Sequence, residues 1–496
     1  MSNLPVEKQV HEFTADRDDG HESDKAATNT STSIAPSISK SRRWLHWHEP
    51  GTSKQEKRLI LKLDWFILSY GCLCFFNKYL DQTNISNAYV SGMEEELGFG
   101  KGNELSWMNT YFNVGYILGG PVSNLIITIV APRIWLPTCM SAWSLFVLFL
   151  YKCNTAPQFY ALRFCIGFFE SAAFPGINYV LGSWYKKSEL ATRSSLFVIS
   201  GVLGQMFSGY LQSALFTGME GKGGLSAWRW LFIFDFILAV PIALYGFIFF
   251  PDTPYTTKAF YLNEWERNRA RERIDEEGRT PVGKMDVSAF KRIFLSWQLW
   301  TFSIAYSLWT LTCGSYVMQF FALWLKAQKT YSVPQINNLP TVIGAINFFF
   351  MVSTGFIADK IGNRGPVCLG VGTLLTFVYI ILTVWDVPSG LKMAAYFLVG
   401  CYGCYTPLLA GWINSVCGGD EQLRAFTLAF MASVGQAVVI PMQQYQFPSS
   451  AAPAYAKTHG YGSALAFVVC LTLWTGFGIN FIEKRAPRWF KSQVAA

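Results

Sequence analysis

Twelve apolar segments follow one another along this chain, separated by shorter polar stretches. Their approximate extents are 62–88, 106–129, 134–152, 157–183, 191–216, 228–250, 296–320, 338–358, 365–385, 391–414, 424–446 and 461–482. An apolar run of about 20 residues forms a helix that crosses the roughly 30 Å hydrocarbon core of a bilayer. The pattern therefore predicts an all-α membrane protein with twelve transmembrane helices.

The longest polar interruption divides these segments into two sets of six. We expect five regions: a disordered cytoplasmic N-terminal tail at 1–58, a six-helix half at 59–251, a cytoplasmic linker at 252–293, a second six-helix half at 294–483 and a cytoplasmic C-terminal tail at 484–496. Two such halves predict a pseudo-symmetric fold with a site between them near the midplane. Within the linker, the charged stretch Tyr261–Gly278 lacks an apolar stripe, which predicts a solvated surface helix or a simple charged spacer.

Charge is sparse and unevenly distributed. Only 15% of the residues are charged, whereas soluble proteins carry roughly 25%. The formal net charge is +8. Lys and Arg concentrate before the first segment, in the loops after even-numbered segments and after the last segment, which predicts that both termini are cytoplasmic. Because this topology accounts for the positive charge, we expect no nucleic-acid partner.

Cysteine and histidine usage argues against enzyme chemistry. All eleven cysteines lie in or at the ends of apolar segments, so neither a disulfide framework nor a zinc site is expected. A Ser-His hydrolase or a His-rich metalloenzyme in the membrane requires a histidine in an apolar segment. None of the histidines of this chain lies in one. No GxxxxGK[ST] loop is present to bind ATP phosphates. We expect no enzyme activity, no metal and no cofactor, and any proton coupling must use carboxylates.

The first segment changes from apolar to polar without a turn signal. Asn77, Asp81 and Asn84 are four and three residues apart, which places them on one face of a helix, with Lys78 beside them. Charged side chains at membrane depth are costly and normally face a protein interior or a watery cavity. We interpret this helix as one wall of a solute pathway.

Further charges occur in other segments. Arg163 and Glu170 are two helical turns apart in the fourth segment, which is consistent with a proton relay or an anion-binding arginine, or with an ion pair that holds helices together. Asp81 and Glu170 are the preferred proton-coupling residues. Asp64, near the cytoplasmic end of the first segment, predicts a gate, and Asp235 lies deeper without an assigned role.

The loop after the eighth segment reads GFIADKIGNR and includes Asp359 and Arg364. It resembles the GxxxDRxGRR-type signature of the major facilitator superfamily and suits a gate that forms a salt bridge in one state. The matching loop of the first half, GGPVSNLIITIVAPRIWLP, keeps a base, Arg133, as a further gate residue, but has no acid. That departure is similar to the fungal anion:cation symporter group, the allantoate permease family.

Several further stretches resemble the same group, namely YLDQTNISNAYVSGM, LGSWYKKSELATRSSLF and AWRWLFIFDF. NAYVSGMEEEL, GLSAWRWLFI and FALWLKAQKTY are most similar to fungal pantothenate:proton symporters. The resemblance implies alternating-access uptake of a small organic anion, pantothenate, with protons across the plasma membrane. Biotin, nicotinate, allantoate or a dipeptide stays open as the substrate, and a non-transporting nutrient sensor or an exporter are further alternatives.

The expected partners are the organic anion, protons and membrane lipid. The substrate carboxylate would pair with Lys78 or Arg163, while polar and aromatic side chains fix its orientation. The remaining candidate substrate-binding residues are Asn77, Asn84, Asn113, Tyr316, Gln319, Trp324 and Asn347.

Overall fold

The computed structural model describes residues 47–48, 51–99, 102–276, 287–417, 421–455 and 459–485, and these residues are almost entirely helical, with no strand among them. Twelve long helices, numbered 1 to 12 in chain order, coincide with the twelve predicted segments. Their bounds are Lys54–Glu96, Glu104–Ile129, Pro132–Lys152, Ala156–Trp184, Lys187–Met219, Ala227–Phe249, Trp297–Ala327, Thr341–Ile361, Gly365–Val384, Ser389–Val416, Glu421–Gln446 and Gly460–Arg485. Shorter helices span Glu264–Asp275, Val287–Phe294 and Val333–Asn338.

Eleven of the twelve long helices are long and apolar enough to cross a membrane, by length and composition. Helix 2 is not one of those eleven, although its 26 residues are sufficient in length. It packs backbone to backbone against helix 4, where a Cβ added at Gly167 would overlap the main-chain oxygen of Phe112. Helix 2 is therefore an integral part of the bundle, and the prediction of an all-α membrane protein is confirmed.

The two halves contact each other at the end of the bundle that carries the loop between helices 1 and 2. Lys326 of helix 7 forms ion pairs with Glu94 at 2.5 Å and Glu95 at 2.8 Å. Nearby, Asn337 Nδ2 donates to Ser91 Oγ at 2.9 Å. These contacts join residues more than 200 positions apart and close this end of the molecule.

At the opposite end, charged groups pair within the first half and the linker. Helix 1 begins at Lys54, before the predicted boundary at 59, because Ser53 caps it by accepting a hydrogen bond from the Glu56 amide. Glu56 then faces Arg273 of the linker helix Glu264–Asp275, with Oε1 at 2.8 Å from Nε. The remaining residues of the predicted tail, 1–46 and 49–50, lie outside the described residues.

The linker does form a helix, as one interpretation expected, and one face of it is exposed, but the other face is packed rather than solvated. Glu266, Ala270, Arg273 and Ile274 are buried on one face. Arg273 Nη2 contacts Glu189 of helix 5 at 2.5 Å. The face that packs combines apolar Ala270 and Ile274 with charged Glu266 and Arg273. The counter-charges come from distant helices, so the face does not show as an apolar stripe in the sequence.

We expect Glu189→Gln to lower the thermal unfolding midpoint of the detergent-solubilised protein. Breaking a buried pair costs on the order of 3–5 kcal/mol when the remaining charge has no other partner. Arg273 keeps Glu56, so we expect a loss at or below the lower end of that range. The matched control is Glu272→Gln, because Glu272 makes an exposed pair with Arg269 on the same linker helix, and such pairs contribute about 0–1 kcal/mol. Equal midpoints for the two variants would show that the buried pair does not stabilise the fold.

Candidate functional site

Seven charged or amide side chains are buried together inside the first half, and each is at most 3% exposed. We term them the buried polar cluster: Asn77, Lys78, Asp81, Asn84, Arg163, Glu170 and Asp235. Helix 1 supplies the first four, helix 4 supplies Arg163 and Glu170, and helix 6 supplies Asp235. The spacing in helix 1 thus placed its polar residues on one inward face, as predicted.

Lys78 is the cation at the centre of this cluster. Its Nζ donates to Tyr116 Oη at 2.9 Å and lies 4.4 Å from the centroid of the same ring. Glu170 Oε1 is 3.9 Å away from Nζ. Gln82 Nε2 donates to the same Glu170 oxygen at 2.6 Å, while Glu170 Oε2 has no hydrogen-bond partner among the residues that the structure describes. Lys78 is therefore held by a phenol and by one long ion pair.

Arg163 makes no ion pair in the described part of the chain, so the structure gives no support to the interpretation of an ion pair that holds helices together. Its guanidinium lies 4.4 Å from the centroid of the Phe112 ring, and its Nε has no hydrogen-bond partner in the described part of the chain. A buried cation stacked on an aromatic ring keeps donors free for a ligand. The arrangement leaves the anion-binding interpretation of Arg163 open.

The aspartates of the cluster contact amides. Asn77 Nδ2 donates to Asp81 Oδ2 at 3.4 Å, and Asn84 Nδ2 donates to Asp235 Oδ2 at 2.6 Å. The Asn84 amide is itself fixed, because its Oδ1 accepts from Ser208 Oγ at 2.5 Å. Asp235, for which the sequence offered no role, is thus joined to the same face of helix 1 that carries Asp81.

Three predicted substrate-binding residues meet across the two halves. Asn113 Nδ2 donates to Tyr316 Oη at 3.0 Å, and Gln319 Oε1 accepts from Asn109 Nδ2 at 3.0 Å and from Ser86 Oγ at 3.2 Å. Tyr316 ends a break in helix 7. These bonds place a polar layer between the halves, beside the buried polar cluster.

Two predicted substrate-binding residues are not brought to this layer. Trp324 is fully buried and packs against Phe321 and Tyr396, with ring centroids 5.9 and 5.8 Å away. Asn347 is buried against Gly403, and its Oδ1 has no hydrogen-bond partner in the described residues. The contacts of Trp324 are those of a core residue rather than of a pathway wall.

The predicted gate residues whose side chains are described pair with other residues rather than with one another. Asp64 accepts from Arg193 Nε at 2.6 Å and Nη2 at 2.9 Å, and Arg133 Nε is 3.2 Å from Asp252 Oδ2. Arg364 Nη1 donates to Ser415 Oγ at 3.0 Å. The Asp359 side chain lies outside the described residues.

Sequence reasoning missed several partners. Gln82 follows Asp81 and carried a polar signal in helix 1, whereas Tyr116 and Arg193 carried none that distinguished them from other aromatic and basic residues. Asp252 lies at the start of the predicted linker. Each becomes recognisable only through a contact with a distant helix.

The comparisons with known proteins agree with this architecture. The family model described as Major Facilitator Superfamily matches residues 71–441. The chain belongs to the major facilitator superfamily. It is therefore a multi-pass membrane transporter rather than an enzyme, as expected.

Two curated relatives and one solved structure are particularly similar. The MFS transporter PfmaC of Pestalotiopsis fici is 65% identical over 473 residues, which cover 95% of this chain and 89% of PfmaC. The pantothenate transporter liz1 of Schizosaccharomyces pombe is 37% identical over 409 residues, which cover 82% of this chain and 79% of liz1. The crystal structure of a D-xylose-proton symporter aligns with a TM-score of 0.61 at 13% identity, over 84% of this chain and 97% of that one, and so shares the fold.

Proposed function

We propose that this transporter takes up a small organic anion across the plasma membrane together with protons, by alternating access, and that the anion is pantothenate. The likeness to a pantothenate transporter supports the choice of substrate. The distribution of Lys and Arg supports cytoplasmic termini. With that orientation, the end closed by Lys326 is extracellular, and the opposite end faces the cytoplasm.

The observation that carries the proposal is the weakly paired Lys78. An ammonium group that is only 3% exposed needs a counter-charge. Its one carboxylate neighbour, Glu170, lies at 3.9 Å, near the outer limit for an ion pair. A substrate carboxylate bound at Lys78 provides a closer counter-charge. Arg163, whose Nε has no hydrogen-bond partner in the described residues, is the second cation of the cluster.

Proton coupling follows from the same geometry. When a substrate carboxylate pairs with Lys78, Glu170 becomes an anion without a close cation in a dry interior. A proton on Glu170 removes that charge, so substrate and proton bind together. Of the two expected proton-coupling residues, these contacts favour Glu170, because Asp81 is turned towards Asn77 and Asp235 instead.

The substrate's polar groups would contact amides and phenols between the halves. Asn113 bonds to Tyr316, and Gln319 accepts from Asn109 and Ser86, so each is able to exchange its partner for a substrate hydroxyl or amide. The proposed cytoplasmic gate consists of Asp64, Arg133, Asp359 and Arg364. Its side chains would exchange their ion-pair partners between the two halves during the transport cycle.

Biotin, nicotinate, allantoate and a dipeptide also carry a carboxylate, and the Lys78 argument applies equally to them. Rescue of a fungal strain that lacks pantothenate uptake, tested against a panel of these compounds, selects among them. A sensor would give no accumulation of labelled substrate, and an exporter would lower it.

We expect Glu170→Gln to abolish accumulation of radiolabelled pantothenate driven by a proton gradient while retaining exchange of internal for external substrate. The amide resembles the protonated acid, so the carrier binds substrate but no longer gains or loses the proton. Glu264→Gln, at an exposed linker position, is the matched control at equal surface level. Wild-type pH dependence in Glu170→Gln would refute the assignment of the proton to Glu170.

We expect Lys78→Ala to weaken uptake of the anionic substrate by about tenfold or more, since a hydrogen bond to a charged group contributes about 1.5–3 kcal/mol. Competition by a neutral analogue, in which an alcohol replaces the carboxylate, should change much less. Lys258→Ala, at an exposed position, controls for loss of a surface cation. An equal loss for the charged and neutral compounds would show that Lys78 does not recognise the carboxylate.

A further inference from the structure

We propose that Asp81 and Asp235 share a single proton, and that Asp235 is thereby a positioning residue that keeps the buried polar cluster electrically neutral. The contact between the two aspartates does not depend on the proposed function. Its consequence for transport rests on the proposed function and deepens it, because it fixes how much charge the empty site carries.

The two carboxyl groups are neighbours across helices 1 and 6. Asn84 lies three residues after Asp81 on the same helical face and donates to Asp235 Oδ2 at 2.6 Å. The carboxyl groups themselves are within hydrogen-bond reach of each other. Asn84 is held by Ser208, so Asp235 is fixed against helix 1 rather than free to turn away.

One oxygen of each aspartate has no partner. Asp81 Oδ1 and Asp235 Oδ1 are both buried and accept no hydrogen bond in the described residues. Bulk water does not replace the missing donors, because the two residues are only 3% and 1% exposed. Buried carboxylate oxygens without donors are costly. A proton on one carboxyl group makes it a donor to the other, so a single hydrogen satisfies both groups.

The surrounding charges do not supply an alternative. The charged groups facing the pair are Arg163 and Glu170 on helix 4, and Lys78 lies three residues before Asp81 on helix 1. The indole N–H of Trp143 on helix 3 also faces Asp81, but it makes no hydrogen bond in the described residues. Lys78 contacts Tyr116 and Glu170, and Arg163 rests on Phe112. Helix 5 contributes the neutral Ser208. Two adjacent anions in a poorly solvated site repel each other, and sharing one proton removes that repulsion.

A count of charges supports the same proton. Fully ionised, the cluster would hold two cations, Lys78 and Arg163, and three anions, Asp81, Asp235 and Glu170. With one proton between the aspartates, positive and negative charges balance, which a low-dielectric interior favours. A monoanionic substrate that arrives with one proton for Glu170 then leaves the cluster neutral, so uptake would be electroneutral.

Infrared spectroscopy of the purified full-length protein at neutral pH, without substrate, tests the pair directly. We expect a carbonyl stretching band from a protonated carboxyl group that shifts when the carboxyl carbon of aspartate is labelled with carbon-13. The band should not shift when glutamate is labelled. The absence of a protonated-carboxyl band, or a band sensitive to glutamate alone, would overturn the proposal.

Variants identify the residues. Asp235→Asn and Asp81→Asn should each lose the band, whereas Asp252→Asn, which removes an aspartate paired with Arg133 outside the cluster, should retain it. A band that persists in Asp235→Asn would contradict the pairing. The carbon-13 labelling experiment uses the wild-type chain, so it tests for a protonated aspartate even where a variant fails to fold. Because no substrate is present, failure of pantothenate uptake would overturn the proposed function and leave this result unaffected.

Discussion

Ionised side chains inside an apolar helix bundle need counter-charges or water, and this requirement organises the first half of the transporter. Lys78, Arg163 and three carboxyl groups lie where the membrane would otherwise demand hydrocarbon. None of them is saturated by partners: Lys78 is held by a phenol and one long ion pair, and several oxygens have no donor. This incomplete pairing in the described residues is what we propose a substrate carboxylate completes.

The linker meets the same need for counter-charges with short ion pairs. Arg273 is completely buried between Glu56 and Glu189, so the linker helix ties the ends of helices 1 and 5 together with short, well-formed pairs. The buried polar cluster therefore lies in a half whose one end is stabilised by the ion pairs of Arg273. The other end of this half contacts the second half through Lys326. Motion between the halves can then alter the polar layer without dismantling the cluster.

The fold was predictable because its signals are local. Apolar runs of about 20 residues mark helices whatever their neighbours are, and the spacing of Asn77, Asp81 and Asn84 follows from the helical period alone. The hydrogen-bond partners within the cluster were not predictable, because they are distant in sequence. Glu170 and Gln82 are 88 positions apart, and Asp235 and Asn84 are 151 positions apart. The contacts of Trp324 were not predictable for a related reason. The break before Tyr316, where Cys313 has a φ of 53°, interrupts the helix, and Trp324 packs against Tyr396 of a distant helix.

The central claim is that a carboxylate ligand and a proton enter the buried polar cluster together. The most direct measurement is the change in pH when pantothenate is added to the purified transporter in weakly buffered solution near neutral pH. The account predicts that the protein takes up close to one proton for each molecule bound. Saturable binding of pantothenate without any proton uptake would contradict it.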